Sequence, residues 1–147
     1  MNKIIYGDMI ISGTDLEKLN TYITQLADNL KSQKEFTDML YTHKSLKRTV
    51  DKNSTMEYFE ERALIKIKLR EKYATQLNLE DDIHCAIAHL PNDKVRKFLY
   101  EREKHLKQQR ALARKNNNTQ QLNLVDQELT ATNIARKTYN KLIAMTK

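Results

Sequence analysis

The chain has 147 residues, 39% hydrophobic and 31% charged, with a net charge of +7. That length fits one domain, and the single cysteine, Cys85, excludes an internal disulfide and suits a reducing compartment. Only two glycines, both by Gly13, and one proline, Pro91, leave so few tight turns that the fold class is all-α, a long antiparallel helical hairpin or a bundle of three to four helices.

Residues 1–13 stand apart from the helical domain, 14–147. Ile4, Ile5, Tyr6, Met9, Ile10 and Ile11 are β-prone, and a single strand without a partner makes no sheet. They read as an extended apolar arm that packs on the helices or on a second subunit. With Asp8 inside it, the stretch is too short for a signal peptide or a membrane span, so a cytoplasmic location is expected.

The first helix starts at Thr14 or Asp15, where Thr14 and Glu17 have capping-box spacing. Leu16, Leu19, Ile23, Leu26 and Leu30 alternate by three and four, a coiled-coil seam. The seam falters at Gln33 and Thr37, where Phe36, Met39 and Leu40 take over, and the helix runs to about Asp51. The second helix opens at Ser54, with Glu57 three residues on, and an apolar stripe of Met56, Phe59, Ala63, Leu64, Ile67, Ala74 and Leu77. A polar break at Asn78–Asp82 leads into a short helix, Glu80–Leu90, that ends at Pro91. Asn92 or Asp93 caps the last helix, which extends to Met145. Its run Asn116-Asn117-Asn118-Thr119-Gln120-Gln121 is compatible with a break or with a continuous helix.

No catalytic signature is visible. No glycine-rich phosphate loop exists beyond Gly13, and no serine sits in a nucleophile elbow. Glu60-Glu61 and Asp81-Asp82 are adjacent residues, which point about 100° apart on a helix and do not converge. His84 and His89 are five apart, not one helical face, and with His43 and His105 they read as surface histidines. The chain is therefore expected to be no enzyme and to need no cofactor or metal.

Two surfaces remain. Lys94, Arg96, Lys97, Arg102, Lys104, Lys107, Arg110, Arg114 and Lys115 stand against Glu101 and Glu103. They form either a solvated helix face or a phosphate-binding surface for nucleic acid, as in a basic accessory or inhibitor protein of a phage or plasmid. The other surface is the stripe Leu122, Val125, Leu129, Tyr139 and Leu142, which either takes up a partner's amphipathic helix or packs on the first helix of its own chain. An arm and a heptad seam in one chain also fit a homodimer with crossed arms.

The segment Leu99–Leu112, the asparagines Asn116 and Asn117, the run Leu122–Leu129, and Glu61-Arg62 followed by Leu64, Ile67 and Leu77 carry a resemblance. Together they resemble flagellar export chaperones of the FlgN type. The resemblance implies a small cytoplasmic chaperone that holds the C-terminal amphipathic helix of a secreted hook–filament junction protein before export.

Overall fold

The computed structural model describes residues 3–6, 9–12, 14–46 and 55–145, with side chains over 16–42 and 58–145. Strands β1 (Lys3–Tyr6) and β2 (Met9–Ser12) precede four helices, α1 (Thr14–Leu46), α2 (Thr55–Ala88), α3 (Asn92–Lys115) and α4 (Thr119–Met145). The helical domain is an all-α bundle. The arm is not one extended segment: β1 and β2 pair antiparallel, Ile4 opposite Ile11 and Tyr6 opposite Met9. The hairpin leans on its own bundle, β2 against α1 and β1 against α3. The side chains of the arm lie outside the described residues, as do those of both proposed capping boxes apart from Glu17.

The α1 seam is where the sequence places it. Leu19, Ile23 and Leu26 are buried, and Leu16 and Leu30 pack at the edge of the same cluster. The seam does not stop at Gln33. Gln33 Nε2 donates to Gln76 Oε1 of α2 at 2.6 Å and to Asn29 Oδ1 at 2.7 Å, and Gln76 Nε2 donates to Glu80 Oε1 at 3.2 Å. A glutamine facing a glutamine thus keeps the three-four rhythm with a polar layer. Such a layer fixes the register between two helices, because slipping by a turn would bury an amide without a partner.

α2 differs from expectation in two ways. It runs unbroken through Asn78–Asp82. Leu79, Ile83 and Ile87 continue its buried face while Asn78, Asp81 and Asp82 look outward, so the polar run is a solvent side and not a stop. The face turned to α1 is also not the expected stripe. The less exposed positions are Tyr58, Arg62, Ile65, Leu69, Lys72, Gln76, Leu79 and Ile83, again alternating by four and three. Phe59, Ala63, Leu64, Ile67, Ala74 and Leu77 are exposed.

The asparagine run is a connector with two jobs. Asn117 adopts a left-handed conformation (φ 53°), which asparagine tolerates better than most residues. The N–H of Asn118 then reaches the carbonyl of Ala113 at 2.9 Å, and that of Asn117 the carbonyl of Arg114 at 3.2 Å, a Schellman closure of α3. Asn118 Oδ1 accepts the backbone N–H of Gln121 at 3.1 Å and caps α4. The open choice between a break and a continuous helix is thereby settled as a break. At the start of α3 the cap position is Pro91, without a side-chain cap hydrogen bond, instead of Asn92 or Asp93. Asp93 lies in the first turn, where a carboxylate suits the helix dipole.

α3 and α4 close the core over the lower half of the α1–α2 pair. Val95, Phe98 and Leu99 of α3 and Ala131 and Ala135 of α4 join Leu19, Ile23, Leu26, Ile83 and Ile87 in one cluster. From this packing, Ile83→Ala should cost about 2–5 kcal/mol in urea denaturation. Leu77→Ala on the outer side of the same helix should stay within about 0.5 kcal/mol. Equal losses at the two positions would contradict the assigned faces.

Candidate protein-docking face

The structure places the C-terminal stripe inside the bundle. Val125 and Leu129 are 2% and 7% exposed and form a small cluster with Leu106 of α3. Tyr139 and Leu142 pack at the edge of the main core, and Leu122 is half-buried. The stripe proposed as a partner groove is filled by helices of its own chain.

The basic cluster is likewise divided among different roles. Arg102 is 2% exposed and belongs to the core. Its Nε donates to Thr132 Oγ1 of α4 at 2.9 Å, and its Nη1 donates to Asn20 Oδ1 of α1 at 2.5 Å. The Thr132 hydroxyl in turn donates a hydrogen bond to the carbonyl of Glu128 at 2.8 Å. A guanidinium with donors fixed in one plane is suited to joining two helices in this way, and a phosphate could not reach it. Lys107 sits 3.0 Å from Glu103, which also pairs with Arg136 of α4. Arg110 faces Asp126 of α4 at 4.0 Å. Lys94, Arg96, Lys97, Lys104, Arg114 and Lys115 are exposed along the length of α3. The cations thus split between core, helix–helix pairs and open solvent, and they do not make one surface.

Among the described residues no set of three or more His, Cys, Asp and Glu could hold a metal ion, and no helix is long and apolar enough to cross a membrane. His84, Cys85 and His89 are exposed, and His89 Nδ1 donates to the carbonyl of Cys85 at 2.8 Å. The side chain of His43 lies outside the described residues.

The apolar stripe expected to face the interior from α2 is exposed instead. Seven of the eleven exposed large hydrophobic side chains among the described residues lie on one helical pair: Met39 and Tyr41 of α1, and Phe59, Leu64, Ile67, Tyr73 and Leu77 of α2. Leu64, Ile67 and Leu77 are 58%, 50% and 63% exposed. The core cluster explains the location. It draws on α1 only through Leu30, and on α2 only from Leu79 onward. α4 begins at Thr119, and its first turns lie beside Lys31, Lys34 and Asp38 of α1. Beyond that level the α1–α2 seam continues without the cover that α3 and α4 give lower down. Large apolar side chains left exposed in number on one helix mark a contact surface more often than an accident of composition. On the outer side of α2 this surface is interleaved with Lys66, Lys68 and Arg70, all exposed.

No protein-family model, curated protein or solved structure matches the chain.

Arg102 supplies a direct check on the division of the cations. Arg102→Ala should lower stability by about 2–4 kcal/mol, because hydrogen bonds to a charged donor are lost and Thr132 stays buried. Arg96→Ala and Lys97→Ala should each stay within about 0.5 kcal/mol. Chemical denaturation of the three variants decides it; an unchanged midpoint for Arg102→Ala would remove the guanidinium from the core.

Proposed function

We propose that the protein is a non-enzymatic helical binding protein that seats an amphipathic helix of a partner on the outer side of α2. A cytoplasmic export chaperone that holds a segment of a secreted partner, of the flagellar hook–filament junction class, is the reading that fits both this surface and the helical resemblance. The observation that carries it is the exposed series Phe59, Leu64, Ile67 and Leu77 on a helix whose opposite face is already occupied by α1. A helix laid into such a surface would be read at three-four spacing, with its apolar residues against Leu64 and Ile67 and its polar side in water. Leu129 and Leu142 support the bundle and are left out of this surface.

A labelled amphipathic peptide with leucines at three-four spacing, titrated by fluorescence anisotropy, tests the reading. Saturable binding is expected, with Kd raised at least tenfold, about 1.4 kcal/mol, by Ile67→Asp. The circular dichroism spectrum of that variant should be unchanged. Leu129→Asp should instead unfold the chain, as seen by circular dichroism. Peptide binding that survives Ile67→Asp, or no binding at all, would contradict the proposal.

A further inference from the structure

α2 carries two heptad series, and only one of them faces α1. The outer series reads Glu60, Ala63, Ile67, Arg70, Ala74 and Leu77, with steps of three, four, three, four and three. All six residues are exposed. Two of them are charged, and they have opposite signs. Glu60 and Arg70 stand five residues either side of position 65, and Ala63 and Ile67 stand two residues either side of the same point.

That arrangement is self-complementary. If a second copy of α2 lies antiparallel across the first with its two-fold axis at position 65, Glu60 of each copy faces Arg70 of the other. Ala63 of each then faces Ile67 of the other, a small residue against a large one, which lets the helices approach closely. A parallel pairing would set Glu60 on Glu60 and Arg70 on Arg70, and like charges so placed repel. Neither Glu60 nor Arg70 has an ion-pair partner among the described residues. The stretch that would overlap is also the stretch that α3 and α4 leave uncovered.

We infer that the outer face of α2 closes on a second copy of this chain, in an antiparallel pairing centred between Ala63 and Ile67 and locked by two Glu60–Arg70 contacts. The inference deepens the reading above, since it says what covers the same face when no partner helix is bound; a partner would have to displace the second copy. It rests on the exposed face and its charge symmetry. It does not depend on the partner's identity, and it places the contact on α2, not on the N-terminal arm.

Sedimentation equilibrium of the full chain, without peptide, tests it. The wild type should show twice the 17.4 kDa chain mass at about 100 µM, well above a micromolar Kd. Glu60→Arg and Arg70→Glu should each weaken the dimer at least tenfold, because the two-fold axis turns one substitution into two like-charge contacts. The double variant E60R/R70E should regain dimer strength, since the swapped charges pair again. Ile67→Asp should give a monomer with an unchanged circular dichroism spectrum. If a charge reversal unfolds the chain, Glu60→Gln and Arg70→Gln replace it, and each should weaken the dimer without added repulsion. A wild-type monomer at this concentration overturns the inference. A dimer indifferent to these substitutions, or a double variant no stronger than the single ones, overturns it as well. A monomer that binds the amphipathic peptide through Ile67 would assign the face to another protein alone, so failure of the dimer and failure of the binding reading give different results.

Discussion

The zipper between α1 and α2 is the constraint on which the rest of the molecule depends. Leu19, Ile23 and Leu26 interlock with Leu79, Ile83 and Ile87, and the Gln33–Gln76 hydrogen bond sets the register. With the register fixed, every other position on α2 is assigned to a side. The helix spans 34 residues, about 50 Å at 1.5 Å per residue. α3 has 24 residues and α4 has 27, and they cover only part of that length. The uncovered apolar face follows from this mismatch in length together with the fixed register.

The interior resolves its polar groups by pairing them across helices. Arg102 ties α3 to α1 and α4 through Asn20 and Thr132, and Asn29, Gln33, Gln76 and Glu80 form a chain between α1 and α2. Asn29, Arg102 and Thr132 are buried, where an unpaired polar group is costly. They therefore discriminate between the native packing and shifted ones that would bury the same leucines. The cost of that specificity is modest, because these donors find their acceptors at 2.5–3.2 Å.

Much of this was legible in the sequence. The scarcity of glycine and proline implied long helices, and Leu16–Leu30 marked the buried face of α1. α2 was misread for a physical reason. Its apolar residues occur all round the helix, in one series through Ile65, Leu69, Leu79 and Ile83 and another through Ala63, Ile67, Ala74 and Leu77. Periodicity alone does not say which series meets a neighbour. The second glutamine, Gln76, held the answer, because it stands where Gln33 needs a polar partner. The run Asn78–Asp82 looked like a break because asparagine and aspartate favour turns, yet burial of Leu79 and Ile83 overrode that local preference. The C-terminal stripe could not be told from a core stripe without knowing that α3 and α1 flank it. The arm carried a signal that was passed over: Gly7-Asp8 between two three-residue apolar runs, Ile4–Tyr6 and Met9–Ile11, has the length and composition of a two-residue hairpin connection.

The α1–α2 seam stays closed past the first turns of α4, so that the outer face of α2 is a fixed surface. Electron–electron distance measurement between spin labels at Asp38→Cys and Glu71→Cys, in a Cys85→Ser background diluted with unlabelled chain, addresses it most directly. Asp38 and Glu71 are both exposed and lie at matching levels of the pair, since 38 and 71 sum to the same value as the hydrogen-bonded 33 and 76. A closed seam gives one narrow, short distance population typical of adjacent packed helices. A broad or two-peaked distribution would mean that the helices splay beyond the bundle, and the exposed face would then not be the fixed surface described.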